Sequence, residues 1–205
     1  MGANALLTAE HVEQSHAVIG HADWILAQFE IPDSVILFAF RLARRFGKRA
    51  YLNPSPWRPI DNELLALTDV LVVNTTEAAL MFNEPSLEKL TRDAWVERLP
   101  ALGRQIGWKG ELLVVTLADA GCVALDETDH VLIQPAYRIR QIDATGAGDA
   151  FGCGLVWSLL RGLSPPEALR VGNACGAFVA AREGVFERLP RHDDIEDFLA
   201  TAVPG

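Results

Sequence analysis

Asp143-Ala144-Thr145-Gly146-Ala147-Gly148-Asp149-Ala150-Phe151-Gly152 is the stretch on which the reading of this chain turns. It stands between the last β-like run and a long apolar helical pattern, so it is the entry into a helix. Gly146, Ala147 and Gly148 carry little or no side chain, which lets their N–H groups approach a bound anion closely. The helix that follows adds the positive end of its dipole. Charge developing on a transferring phosphoryl group suits such a turn. Asp149 falls in the first helical turn, where a carboxylate can accept a proton from an incoming hydroxyl. A plainer reading is also open, in which the three small residues make a close-packed turn and Asp149 only caps the helix. A dinucleotide-binding fingerprint fails on spacing, because it asks for a third glycine at 151, where Phe151 stands.

Elsewhere in the chain, β-like runs occupy residues 22–29, 49–53, 69–74 and 112–117. They are apolar throughout instead of alternating, as in strands covered by helices on both faces. A helical pattern runs over 33–46, with Asp33 as its N-cap and Gly47 just past its end. Pro54, Pro56 and Pro59 end the second strand, and residues 86–106 read as helix. The runs 121–125 and 130–134 flank the polar turn Asp126-Glu127-Thr128-Asp129 and read as a hairpin. Helices are expected over 149–160, 165–182 and 194–202. Ser164-Pro165-Pro166-Glu167 has the form of a capping box with proline at the first helical position. Strand–helix–strand rhythm predicts an α/β fold on a mostly parallel sheet, and the absence of repeats and linkers predicts one domain over residues 1–205.

Composition narrows the function classes. The 205 residues fit one domain of about 100–200 residues. Half are hydrophobic and 22% charged, which excludes a disordered or fibrous chain. With 18 basic against 27 acidic residues the net charge is −9, which argues against nucleic-acid binding, so an anion site has to be local and built from backbone N–H groups. No run approaches the about 18 apolar residues of a membrane span and the start lacks a basic leader, so a soluble cytoplasmic protein without a membrane partner is expected. Cys122, Cys153 and Cys175 show no paired spacing and are expected to be buried free thiols. His11, His16 and His21 recur every five residues, which does not align them on one helical face for a metal.

The string Asp-x-Thr-Gly-Ala-Gly-Asp-Ala-Phe resembles a signature of the ribokinase-like carbohydrate kinase family, which includes the B-type phosphofructokinases. Other landmarks follow in family order. Gly2-Ala3-Asn4-Ala5 resembles the segment that opens the family's second third, and Gln28-Phe29-Glu30 a strand end whose acidic residue contacts sugar. Asn53-Pro54-Ser55-Pro56 is similar to the family's Asn-Pro-Ala-Pro, Asn74-Thr75-Thr76-Glu77 to its Asn-x-x-Glu, and Thr116-Leu117-Ala118-Asp119-Ala120-Gly121 to its Thr-Leu-Gly-x-x-Gly. The resemblance spans essentially the whole chain. It implies a three-layer αβα sandwich and ATP- and Mg²⁺-dependent phosphorylation of a sugar hydroxymethyl group. In that resemblance Gly2-Ala3-Asn4-Ala5 and Glu30 favour a ribokinase over phosphofructokinase-type or nucleoside-type relatives, with ribose the best guess for the acceptor.

Residue by residue, the resemblance implies that Asp149 deprotonates the acceptor and that the N–H groups of Gly146, Ala147 and Gly148 form the anion hole. Asn74 and Glu77 would orient phosphates and hydrated Mg²⁺, although Asn74-x-x-Glu77 alone also reads as a helix cap with its box partner. Thr116, Ala118, Gly121 and Gly148 would line the nucleotide, with Asn173 beside the adenine. Glu30 and Asp149 would meet the sugar. Asp143, Thr145, Val179, Arg182 and Gly184 match positions that hold a monovalent cation such as K⁺. Three departures stand out: Ala118 replaces a glycine, Gly152 stands where many ribokinases have Asn, and Arg188 falls where relatives carry a small hydroxyl residue near the cation.

Family members run to on the order of 300 residues. The resemblance therefore implies that this chain lacks the N-terminal third, with its first strands, the lid over the sugar and the Gly-rich sugar motif. An uncovered sheet edge or helix face, and with it a homodimer surface, is the expected consequence. On that account the 205 residues alone would transfer nothing. The competing expectations are an inactive nucleotide-binding remnant and a subunit that pairs with a separate N-terminal piece.

Overall fold

The computed structural model describes residues 2–184, 189–203 and 205. The chain divides into two compact units, one of residues 1–115 and 124–131, the other of residues 116–123 and 132–205.

The first unit opens with a 3₁₀ turn, Gly2–Leu6, and two short helices, α1 (Ala9–Gln14) and α2 (His16–His21). Val12 of α1 and Ile19 of α2 pack with Val35 and Leu42 of α3 (Asp33–Arg45). Parallel strands β1 (Trp24–Gln28), β2 (Arg49–Asn53) and β3 (Val70–Asn74) lie side by side, with Gln28 opposite Asn53 and Leu52 opposite Leu71. Leu112 to Val115 of β4 (Leu112–Thr116) and Val70 to Val73 of β3 are buried at every position, so both sheet faces are covered there. This is why these strands read as unbroken apolar runs; fully burying each such side chain is worth about 1.5–3 kcal/mol. With β5 (Cys122–Asp126) and β6 (Val131–Gln134) the sheet order is β1-β2-β3-β4-β5-β6.

Local chemistry explains where boundaries moved. Pro32, not Asp33, is the N-cap of α3, because the Asp33 carboxylate is engaged by Arg58 instead of the helix N–H groups. The helix stops as expected: the Gly47 N–H returns to the Arg44 carbonyl at 3.1 Å and the Lys48 N–H to Ala43 at 2.9 Å. The single helix expected over 86–106 is two elements, a 3₁₀ turn at Pro85–Lys89 and α6 (Arg92–Gln105). Thr91 restarts the chain as N-cap, its hydroxyl accepting the Ala94 N–H at 3.3 Å. Between β2 and β3 lies α4 (Asn62–Leu67), capped by Asp61, and after β3 comes α5 (Thr75–Met81). The β5–β6 turn is built on Asp126, whose Oδ1 accepts the N–H groups of Thr128 and His130 at 2.8 and 3.0 Å.

The second unit holds α7 (Ala147–Leu160), α8 (Pro165–Ala180) and α9 (His192–Thr201). Its core gathers Tyr137, Val171, Ala174, Phe178, Val179 and Ile195, with the Phe198 ring edge-on to Tyr137 at 5.3 Å. The start of α8 follows the sequence reading: the Glu167 carboxylate accepts the Ser164 N–H at 2.9 Å, with Pro165 at the first helical position. Among the described residues no helix is long and apolar enough to cross a membrane.

Candidate active site

Gly146 is the N-cap of α7 and has a left-handed backbone, φ +77°, a conformation glycine adopts without the Cβ penalty of other residues. That turn brings Ala147, Gly148 and Asp149 into the first helical turn, whose N–H groups have no partner within the helix. A Cβ on Gly148 would meet nothing within 4 Å, so the space over this backbone is open. The Ala147 N–H, expected to face an anion, donates instead to the Ala144 carbonyl at 3.1 Å. Asp149 is exposed and lines a cavity of about 510 Å³ with Gly146, Cys153, Trp157, Cys175 and His192. Cys122 and Cys175 are buried thiols, and burial pushes each up to about 12. Cys153 departs from the expectation of burial. It is exposed one helical turn beyond Asp149, and partial desolvation followed by the Asp149 charge raises its pKa.

The loop before α7 is fixed from two sides. Ile142 and Asp143 both donate their N–H groups to the Ala180 carbonyl at the end of α8, at 2.8 and 3.2 Å. The Asp143 carboxylate accepts the Thr145 N–H at 2.9 Å and its hydroxyl at 2.7 Å, the backbone bond first and then the hydroxyl holding its pKa below the ordinary range. Val179 is fully buried and its carbonyl accepts the Arg182 N–H at 3.0 Å. The Arg182 side chain donates to the Phe178 carbonyl at 2.7 Å and lies over the Phe178 ring. Gly184 closes this stretch, and Arg188 lies outside the described residues.

The segment after β4 belongs to the same unit. A Cβ on Gly121 would stand 2.1 Å from the Gln134 carbonyl oxygen, and with φ +93° only glycine fits. Ala118, the residue in place of the family glycine, has φ +50°, so it keeps a glycine-like backbone while carrying a methyl group. Asn173 on α8 donates to the Pro135 carbonyl at 2.7 Å. Thus Thr116, Ala118, Gly121, Asn173, the α7 entry and the Asp143–Gly184 loop residues share one unit.

Three site residues lie in the other unit. Asn74 ends β3 and caps α5: its Oδ1 accepts the Glu77 N–H at 2.8 Å while Glu77 Oε2 accepts the Asn74 N–H at 2.9 Å. The capping box is therefore formed, and Glu77 is buried. Glu30 stands exposed in the turn after β1. Gln28 and Asn53, at the ends of β1 and β2, are joined by a side-chain bond of 3.0 Å, and Asn53 donates to the Val72 carbonyl at 2.9 Å. Polar side chains thus line the carboxyl ends of three parallel strands, the end where α/β sheets bind ligands. The sequence reading missed Arg58, which bridges Ile31 and Asp33; a lone arginine in a proline-rich loop gives no periodic or motif signal.

A glycine-opened helix entry is a backbone setting suited to phosphate, and the carboxyl ends of parallel strands are where α/β proteins bind ligands. The model of the pfkB family carbohydrate kinases matches residues 2–191, and the chain belongs to that family. It is 32% identical over 202 residues to the ribokinase of Haemophilus influenzae, covering 98% of this chain and 63% of that protein. With the ribokinase of Staphylococcus aureus it shares 30% over 195 residues, covering 95% and 62%. The ribokinase of Arabidopsis thaliana, solved with ribose and ATP, superposes with a TM-score of 0.80 at 25% identity over 91% of this chain and 59% of that one. The Thermotoga maritima ribokinase gives 0.79 at 27% identity over 97% and 63%. The fold is that of these ribokinases, and the chain spans less than two thirds of their length.

Proposed function

We propose that the protein carrying this chain transfers the γ-phosphoryl group of ATP to the hydroxymethyl group of a small sugar, ribose being the acceptor favoured by the ribokinase relatives. The observation that carries the reading is the left-handed turn at Gly146, which aims the entry of α7 and its exposed Asp149 into one cavity. In this reading Asp149 takes the proton of the attacking hydroxyl, and the Gly146 and Gly148 N–H groups face the charge that develops on the phosphoryl oxygens. Positioning and charge stabilisation supply most of the rate in such transfers, which suits a rigid backbone site. Ala118, Gly121 and Thr116 line the nucleotide, and Asn173 walls it while holding the Pro135 loop.

Asn74 and Glu77 would hold hydrated Mg²⁺: both are hard oxygen donors, and the cap uses Oε2 of Glu77, not Oε1. When bound, the ion offsets the charge of the phosphates. The loop residues Asp143, Thr145, Val179, Arg182 and Gly184 would hold a monovalent cation chiefly through carbonyls. The test is ADP release from ATP and Mg²⁺ in the presence of ribose, fructose or a nucleoside. Release that depends on ribose supports the reading; release unaffected by any sugar defeats it.

A further inference from the structure

We infer that Arg58 is a positioning residue for Glu30, holding the turn after β1 in the shape that presents this carboxylate to the acceptor; the inference rests on the reading of Glu30 as a sugar contact. Strand β1 ends at Gln28, and Phe29 and Glu30 form a turn beyond the reach of its ladder. Backbone past a strand end takes its order from other contacts. Arg58 supplies them from a different loop. Its Nη2 donates to the Ile31 carbonyl at 3.0 Å and to Asp33 Oδ1 at 2.6 Å, and its guanidinium lies 4.8 Å from the centroid of the Phe29 ring. One planar group therefore touches the residue before Glu30, the residue after it and the first residue of α3.

Phe29 is fully buried, so its ring is a fixed platform, and Asp33 is anchored by the helix it begins. The Arg58 loop follows Asn53, which is itself bonded to Gln28 at the end of β1, so the turn is tied to the β2 side at both its base and its tip. Glu30 stays exposed at the centre of this bracket. A lysine ammonium has donors enough for both acceptors but no planar face to lay over Phe29 while it makes those bonds, so the combination favours arginine.

Steady-state constants of the full-length or reconstituted protein that carries this chain, as wild type, Arg58→Ala, Arg58→Lys, Glu30→Gln and the double variant Glu30→Gln/Arg58→Ala, decide the matter. Arg58→Ala is expected to raise the KM for the sugar about tenfold, the scale of a lost hydrogen bond to a charged group, while the KM for ATP stays within about twofold. Arg58→Lys should fall between, and it carries the comparison if the alanine variant does not fold. Because Arg58 acts through Glu30, the double variant should be no worse than Glu30→Gln alone. Penalties that multiply in the double variant, or a KM for ATP that rises as much as that for sugar, overturn the role of Arg58. A Glu30→Gln protein with wild-type sugar KM overturns the reading of Glu30 instead.

Discussion

Gly172 on α8 sits so close to Phe151 on α7 that a methyl group on it would stand 2.9 Å from the Phe151 carbonyl oxygen. One turn further, a Cβ on Gly176 would stand 3.1 Å from the Ala147 carbonyl oxygen, at the entry of α7. Bare glycine backbone on α8 therefore sets how near α7 can come, and with it where the Gly146–Asp149 turn lies. In an open helix, Gly→Ala would gain about 1 kcal/mol from propensity. Here the closest atom is backbone, which cannot rotate away, and overpacking of this kind costs about 1–3 kcal/mol. Gly172→Ala is accordingly expected to lower stability in urea unfolding, and by more than Gly176→Ala. A Gly172→Ala protein as stable as the wild type would show that the two helices are free to part.

The Asn74–Glu77 box separates two roles that one side chain is asked to fill. Glutamine at 77 keeps an oxygen to accept the Asn74 N–H, so Glu77→Gln should preserve stability while weakening any dependence on Mg²⁺. Glu77→Ala removes the acceptor too and should cost about 0.5–2 kcal/mol, the range of a lost helix cap. Thermal melts with a Mg²⁺ titration of activity distinguish the variants. If glutamine and wild type respond alike to Mg²⁺, Glu77 is a cap and nothing more.

Asp143 makes a pH prediction whose sign follows from its neighbours. The Thr145 N–H, then its hydroxyl, stabilise the ionised carboxylate, so the folded pKa lies below the unfolded one. The stability linked to it is present above the unfolded value and is lost as pH falls through the depressed folded value. A carbon NMR titration should therefore find the Asp143 midpoint below that of ordinary aspartates, about 3.9. Thr145→Val deletes the hydroxyl bond and keeps the N–H, so the midpoint should move part of the way back up. A midpoint that does not move assigns the hydroxyl no share.

The parts of this molecule that could be read beforehand are those decided by neighbours in sequence. Apolar runs located β2, β3 and β4 within a residue or two, and Ser164 with Pro165 fixed the start of α8. Errors arose where a distant partner intervened. Asp33 was expected to cap α3, but Arg58 takes its carboxylate across 25 positions. α4 escaped notice because six residues between prolines and a strand carry too little periodicity. Within the site, the small residues at 146–148 announced the glycine turn that opens α7. The inward bond from Ala147 to Ala144 was not legible, since the direction of each N–H depends on the φ and ψ of the turn.

Asp149 carries the sharpest prediction, because two open readings of the same residue part there. The structure gives the capping position to Gly146, so as a purely structural residue Asp149 would act only through its charge in the first turn of α7, and asparagine would cost about 0.3–1 kcal/mol of stability. As a proton acceptor it cannot be replaced by asparagine, which has the same shape but no basic oxygen. Asp149 is exposed and lines the cavity, and asparagine matches it in size, so the substitution is expected to leave the α7 backbone and the Gly146 and Gly148 N–H groups in place. In the full-length or reconstituted protein, Asp149→Asn should then lower sugar-dependent turnover by on the order of 10²- to 10⁴-fold, the range of general base catalysis. Nucleotide affinity by calorimetry and the melting temperature should both stay close to those of the wild type. Loss of turnover without loss of binding is the pattern of an interaction made only in the transition state. Undiminished turnover would leave Asp149 a charge in the first turn of α7, whose N-cap is Gly146, and nothing more.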